Sequence, residues 1–446
     1  FLRHSRAATV VCQHEDLARL RSITRQIRPE PRLLDLNVLG VAARDTLDAL
    51  ERIAELAVGA APATRAQVDP DDPAVVIYTS GTTGSPKGVV HSQRSYVLAA
   101  EAFVERQHLQ PSDRLLTVLP FYHINALFYS LGGAIAAGAA LITARSFSAS
   151  RFWHLAAQTR ATQCNFLAAV GNILTKRPRA EFDATHCIRK MYGGPMSEEM
   201  QRVFEQEFNV PTMIDGYGMT EIPGTSCNPF LGPRKIGSIG KPAVHPRLAA
   251  DFVAMRIEDD SGRVLPSGEV GELVVKTPIL FKEYLDDPAQ TAASFRNGWF
   301  LTGDLARRDD DGYFFFVARK KDIIRRRGEN ISGAELDRVI SSHPDVMEAA
   351  AIGVPSELGD EEILVVIVPR GAVQLRPQDL LEWCGSRLAP WKVPRFIAFA
   401  DALPHTPSHR VAKHRLKTDT ELLARAIDLG SAKSGGERIP THDLKD

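Results

Sequence analysis

The 446-residue chain is short of the features that tie a protein to an oxidising, nucleic-acid or membrane setting. Its five cysteines, Cys12, Cys164, Cys187, Cys227 and Cys384, lie far apart, with neither CxxC spacing nor a neighbouring histidine pair. This excludes a zinc knuckle and a disulfide framework, and it predicts free, mostly buried thiols in a reducing cytoplasm. No charge of one sign prevails: 54 basic residues face 54 acidic ones, so nucleic acid is not an expected partner. The longest apolar stretch, residues 131–142, falls well short of the roughly 20 residues a spanning helix needs, so no integral membrane association is expected. The first residues lack a basic region followed by an apolar one, which argues against a signal peptide. Residues 1–12 close instead on an apolar run that reads as a strand met in mid-fold, and the native protein is expected to be longer.

What is present is the composition of an ordinary globular enzyme, 44% apolar and 24% charged, in a chain too long for a single core. Between residues 75 and 349, short β-branched runs (75–78, 115–119, 141–143) alternate with helical patterns, which predicts α/β architecture with a largely parallel sheet. Residues 248–276 differ: turns at Asp259-Asp260-Ser261-Gly262 and Pro266-Ser267-Gly268 break them into short strands, as in a small antiparallel barrel. A basic stretch from Arg319 to Arg327 marks a composition shift, and a domain boundary is expected there, with a large domain over 1–320 and a small α+β domain over 321–428. Helices are expected at 333–341 and 377–388, strands at 349–354 and 363–368, and a disordered polar tail over 429–446.

Chemistry concentrates in a few stretches. In Tyr78-Thr79-Ser80-Gly81-Thr82-Thr83-Gly84-Ser85-Pro86-Lys87-Gly88, which follows an apolar strand and precedes a helical segment, glycines let backbone N–H groups close around an anion. The hydroxyls add donors to phosphate, and Lys87 adds a positive charge. It is not a Walker loop, because Gly88 follows the lysine where a Ser or Thr would hold magnesium. In Asp215-Gly216-Tyr217-Gly218-Met219-Thr220-Glu221, an aromatic ring between glycines can lie against a base while Thr220 and Glu221 reach toward phosphate and a hard cation. Thr302-Gly303-Asp304 offers a carboxylate able to accept from both hydroxyls of a ribose, with Arg319 at the end of a following strand.

Taken in order, these stretches resemble the signatures of the adenylate-forming superfamily of acyl-CoA synthetases, peptide-synthetase adenylation domains and luciferases, closest to the acyl-CoA ligases. The resemblance covers about residues 9–416. It implies a large N-terminal domain of parallel-type αβ sheets with a small β-barrel region, followed by a small mobile C-terminal domain. It also implies ATP, Mg2+ and CoA as cofactor and co-substrates, and a small-molecule carboxylic acid as substrate, of medium size by the aromatic and aliphatic residues of its pocket. By this resemblance Thr79, Ser80, Gly81, Thr82, Thr83, Gly84 and Lys87 hold the phosphates, while Gly193, Gly194 and Pro195 lie against adenine with Asp215, Gly216, Tyr217, Gly218 and Met219. Thr220 touches the α-phosphate, Glu221 helps to hold magnesium, and Asp304 and Arg319 bind ribose. His123, in Pro120-Phe121-Tyr122-His123-Ile124-Asn125, gates the thiol tunnel, and Tyr122, His123, Phe166, Leu167, Ala168, Tyr192, Gly193, Ile222 and Pro223, on to Thr225, line the acid pocket. Lys321 is the hinge, and Gly328, Glu329 and Asn330 meet CoA. Pro195 stands where the family commonly has alanine, which should stiffen that loop.

One departure touches the chemistry. Near the carboxyl end the family reads Pro-x-Thr-x-x-Gly-Lys, where this chain reads Pro404-His405-Thr406-Pro407-Ser408-His409-Arg410. Arg410 keeps the positive charge but replaces a point charge by a planar fork. Arg410 is expected to take the lysine's role, with Lys413 as its competitor. The implied function is an ATP-dependent acid:CoA ligase working through an acyl-AMP. The alternatives are loading of a carrier protein's phosphopantetheine, and a catalytically silent nucleotide-binding relative. A homodimer is a further expectation.

Overall fold

A computed structural model describes residues 2–12, 14–35, 67–79, 87–144, 146–248, 251–326, 329–356, 360–371, 375–405 and 411–429. All of the expected tail over 429–446 but Leu429, and most of the phosphate loop, Ser80 to Gly84 included, lie outside the described residues, as do Gly328 and Arg410.

The body of the N-terminal part is a seven-stranded sheet in the order Lys241–Pro242, Ile222–Cys227, Thr212–Met219, Lys190–Gly193, Gln163–Asn165, Arg114–Thr117, Ala140–Thr143. The five strands from Thr212–Met219 to Ala140–Thr143 pair in parallel, and the other two are antiparallel. Successive side chains leave a strand on opposite faces, so each core strand feeds two cores. Leu115, Tyr192 and Ile214 enter one with Phe103 and Phe128, and Leu116, Met191 and Met213 enter the other with Trp153, Phe166 and Phe204. That double burial explains the apolar run from which a parallel strand was expected at 115–119; Ala140–Thr143 also pairs in parallel, but at the sheet edge and with no buried residue.

Residues 75–78 belong elsewhere. They lie in Pro73–Thr79, which pairs antiparallel with Lys87–Ser92, itself flanked by Glu283–Tyr284. The phosphate loop is therefore the connection of a hairpin, and a strand of Lys87–Ser92 stands between it and the helix Gln93–Gln107. Ser92 caps that helix by accepting from the Ser95 N–H at 3.1 Å. The antiparallel region is also wider than residues 248–276. Ala254–Glu258, Gly271–Lys276, Trp299–Arg308, Phe295–Arg296 and Phe314–Arg319 make one five-stranded sheet, whose long strand Trp299–Arg308 alternates between buried and less buried positions.

Beyond Arg319 the chain forms the hairpin Ile323–Arg326 and Glu329–Ser332, then a four-stranded sheet ordered Val346–Pro355, Glu361–Pro369, Phe396–Phe399, Ile427–Asp428. The helices Gly333–Ser341 and Pro377–Gly385 pack on it through Leu336, Ile340, Leu380 and Cys384. Among the described residues, no helix is long and apolar enough to cross a membrane. All five cysteines are free, and all but Cys187 are buried.

A buried ionic knot fixes the amino ends of the parallel strands. The Asp113 carboxylate, fully buried, receives the Lys190 ammonium at 3.1 Å and the Thr162 hydroxyl at 2.7 Å, and it pairs with Arg189. Lys190 also donates to the Gln107 and His108 carbonyls at the end of the helix. Burial alone would raise the Asp113 carboxyl, but the Gln110 N–H, the Thr162 hydroxyl and Lys190 hold it below the usual carboxylate range. Asp113→Ala strands the Lys190 charge in the interior and should destabilise the fold by about 3–5 kcal/mol in denaturant titration; a loss within error would show that the knot contributes no net stability.

Candidate active site

The strand Thr212–Met219 organises the site by its alternation. Asp215 and Tyr217 project to one side and Gly216 and Gly218 to the other. On the first side, the Tyr217 hydroxyl donates to Asp304 Oδ2 at 2.6 Å, and Arg319 Nε lies 2.8 Å from Asp304 Oδ1. Asp304 and Arg319 are register partners on adjacent strands, which is why a residue fifteen positions away in sequence arrives beside the fully buried carboxylate. Asp304 is further fixed by its own N–H, which donates to the Thr302 hydroxyl at 3.0 Å.

Asp215 is the second polar group on that side. Its Oδ2 accepts from the Met196 N–H at 2.8 Å, while Oδ1 is buried and meets no donor among the described residues. Gly194 crosses close above: a Cβ there would lie 2.0 Å from Asp215 Oδ1, so the glycine is required by the approach. Burial pushes the Asp215 carboxyl up to about 7.

At the end of the strand, Glu221 is buried and accepts from the Tyr284 hydroxyl at 2.8 Å. Lys87 stands over the Tyr284 ring, 5.2 Å from its centre, and donates to Gln290 Oε1 at 2.8 Å. The preceding residue, Thr220, is held by its carbonyl, which accepts from His91 Nε2 at 2.7 Å. Burial lowers the His91 imidazole to about 4, so it is neutral at physiological pH.

The structure thus brings Lys87, Thr220 and Glu221 together at one end of the strand, and Asp215, Tyr217, Asp304 and Arg319 along its face. Tyr192, Gly193 and Ile222 lie in the adjoining core, and Phe166 is wholly buried behind Gly193, whose Cβ would meet the Phe166 carbonyl at 2.3 Å. Tyr122 is 60% exposed. The ring of His123 is engaged locally, accepting the Asn125 N–H at 3.2 Å. Glu329 and Asn330 are exposed on their hairpin, and Lys321 lies in the short turn of helix Lys320–Asp322. Lys413, the competitor to Arg410, pairs with Asp337 at 2.6 Å.

Several participants escaped sequence reading. Tyr284, Gln290 and His91 reach the site singly from distant positions, and none belongs to a local motif. Arg106 arrives the same way from the helix Gln93–Gln107, and its Nη1 donates to the Gly224 carbonyl.

The fold is that of the adenylate-forming enzymes, with a large N-terminal part and a smaller C-terminal one. The chain belongs to the AMP-binding enzyme family: that family's model matches residues 1–285, and the model of the AMP-binding enzyme C-terminal domain matches residues 335–410. It is 35% identical over 351 residues to the long-chain-fatty-acid–CoA ligase FadD13 of Mycobacterium tuberculosis, covering 78% of this chain and 67% of the relative. It is 34% identical over 351 residues, with the same coverage, to the sulfoacetate–CoA ligase of Cupriavidus necator. The ATP-bound MatB structure from Rhodopseudomonas palustris superposes with a TM-score of 0.79 at 28% identity, covering 94% of this chain and 80% of that one. MenE from Bacillus subtilis, in complex with the acyl-adenylate intermediate OSB-AMP, gives 0.76 at 26% identity, covering 93% and 79%.

Two outcomes follow from the geometry. An unfolded Asp215 ionises near 3.8, whereas the folded one holds its proton to about 7, so folding loses stability as pH rises through that window. Asp215→Asn should raise the melting temperature at pH 8 and leave it unchanged at pH 4; an equal shift at both values would remove the carboxyl as its cause. Tyr284→Phe keeps the ring beneath Lys87 but deprives buried Glu221 of its donor, and a loss of about 1.5–3 kcal/mol is expected by chemical denaturation.

Proposed function

We propose that this site joins a carboxylic acid to the α-phosphate of ATP and then passes the acyl group to CoA. The chain is an AMP-forming acid–CoA ligase. An oxygen of the acid's carboxylate attacks the α-phosphorus in line and pyrophosphate leaves; the CoA thiolate then attacks the carbonyl of the mixed anhydride and AMP leaves. No covalent nucleophile of the protein is required, so positioning and charge are the protein's contribution.

The observation that carries this reading is the pairing of functions across one strand. Asp215 Oδ1, buried and without a donor among the described residues, suits the exocyclic amine of adenine under Gly194, and the Asp304 carboxylate, held by Tyr217 two positions further along that strand, suits a ribose. Thr220 stands toward the α-phosphate, and residues 79–84 with Lys87 take the pyrophosphate side. Among the described residues no cluster of three acidic, His or Cys side chains forms; Glu221 would be the residue that holds a magnesium ion, which would neutralise charge on the triphosphate. The relatives named above are acid–CoA ligases by name, and MenE holds an acyl-adenylate.

In the same reading the division falls after Lys320, with Lys321 as the pivot of a mobile small domain over 321–428, and Gly328, Glu329 and Asn330 face CoA. Lys320 suits the fixed side of such a pivot, since it is tied to Asp260 at 2.7 Å and Glu272 at 3.2 Å on the antiparallel sheet. Arg410 supplies the positive charge for adenylation, because Lys413 already serves Asp337. His123 borders the acid and the thiol path. A carrier protein as the acyl acceptor and a homodimer are alternatives that a direct assay with carrier and CoA, and a mass measurement in solution, decide.

ATP–pyrophosphate exchange tests the first step. Arg410→Ala should lower it about 100-fold, the order of one electrostatic contact to a developing charge, while Arg410→Lys keeps most of it. Lys413→Ala should leave exchange within about threefold once stability is corrected for; full exchange in Arg410→Ala together with its loss in Lys413→Ala would reverse the assignment.

A further inference from the structure

On the opposite face of the strand Thr212–Met219, the glycines lie close against a cluster of aromatic rings. A Cβ on Gly216 would lie 2.6 Å from the Tyr192 hydroxyl, and one on Gly218 would lie 3.0 Å from that of Tyr129. In the middle of these rings sits the guanidinium of Arg106, 5.3 Å from the centre of Phe103, 5.4 Å from Tyr129 and 5.7 Å from Tyr192. Arg106 is only 6% exposed. Among the described residues it forms no ion pair, although a buried charge without a counter-charge is among the costliest arrangements in an interior.

The unsatisfied part of Arg106 has a definite shape. Nη1 is held by the Gly224 carbonyl, whereas Nε and Nη2, both buried, meet no acceptor among the described residues. These two nitrogens share one edge of the guanidinium plane and point their N–H groups in parallel, the arrangement that matches the two oxygens of a carboxylate or sulfonate. Gly224 accommodates it: its φ is +60°, and a Cβ there would stand 2.0 Å from Nη2. Cation–π contact with three rings stabilises the charge but leaves the two donors unmatched.

We infer that Arg106 is the receptor for a second anionic group on the acid substrate, so that the enzyme activates a short acid carrying a carboxylate or sulfonate at its far end. The inference rests on the ligase reading for the near end: the reacting carboxylate lies by Thr220 and Glu221. Gly224 follows Glu221 by three residues, which span at most about 10 Å of chain, so the two anionic groups are separated by a short linker. A long unbranched monocarboxylic acid would have to bury its apolar end against an unpaired guanidinium. Arg106 is a specificity-determining residue here and takes no part in the chemistry at phosphorus.

Binding and turnover are measured separately, so that the two readings can fail independently. Calorimetry on the full chain uses succinate, glutarate and 3-sulfopropionate against butyrate and valerate as probes. The dianionic acids should bind about 100-fold more tightly than their monoanionic counterparts, as a desolvated two-point contact to an ionised group allows. Arg106→Met, which keeps apolar bulk, should bring the two sets level, and Arg106→Lys should recover part of the preference. Equal or tighter binding of the monoanionic acids to the unmodified protein overturns the proposal without reference to any variant, as does a preference that Arg106→Met leaves intact. Preferential sulfonate over carboxylate binding, or the reverse, identifies which oxyanion the fork receives. Tight, Arg106-dependent binding with no acid-dependent pyrophosphate exchange would instead sink the ligase reading and keep the anion site.

Discussion

The alternation of side chains along Thr212–Met219 is the constraint from which the rest of the site follows. A strand buried on both faces in the middle of a parallel sheet must present a different surface to each side. Here Met213 joins one core and Ile214 the other, and the same parity then sends Asp215 toward Met196 and Gly194 and Tyr217 toward Asp304, while Gly216 and Gly218 turn toward Tyr192 and Tyr129. A shift of one residue in the register with Lys190–Gly193 would exchange the two surfaces, placing Tyr217 among the rings and glycine against Asp304. The knot of Asp113 with Lys190 bears on this directly, because Lys190 begins the neighbouring strand and fixes where its pairing starts.

The antiparallel sheet contributes by pairing and not by sequence proximity. Asp304 and Arg319 face each other because Trp299–Arg308 and Phe314–Arg319 form one hairpin, and a register shift between Leu305 and Ala306 sets their alignment. Tyr284 and Gln290 come from the edge strand and short helix on the far side, bringing a hydroxyl to Glu221 and an amide to Lys87. Three sheets therefore meet at one group of side chains: the seven-stranded sheet supplies Asp215 and Tyr217, the five-stranded one Asp304 and Arg319, and the three-stranded one Lys87 and Tyr284.

What could be read from the sequence was whatever is local. Thr212–Met219 and the Thr302–Asp304 triplet carry their chemistry in adjacent residues, so composition and spacing were enough to mark them. The helices at Gly333–Ser341 and Pro377–Gly385 and the strands Val346–Pro355 and Glu361–Pro369 were legible from periodicity to within a few residues. Two errors have one cause. The run at residues 75–78 is as apolar as a central parallel strand, and residues 248–276 look like a self-contained unit, because pattern reports burial and not the identity of the partner strand. His91, Arg106 and Tyr284 were invisible for a related reason: each is a single residue whose significance lies in a neighbour more than sixty positions away.

The imidazole of His91 has a consequence for how the enzyme behaves in acid. Since the carbonyl of Thr220 can only accept, Nε2 carries the proton, and Nδ1 is left to accept from the Ser95 hydroxyl at 3.2 Å. Solvent exclusion keeps this tautomer uncharged until the medium approaches pH 4. The turn that carries Thr220 and Glu221 is thus tethered by a bond that mild acidification does not alter, and a decline of turnover between neutrality and pH 5 has its origin in other ionisations, those of the acid, the thiol or the carboxylates around the nucleotide.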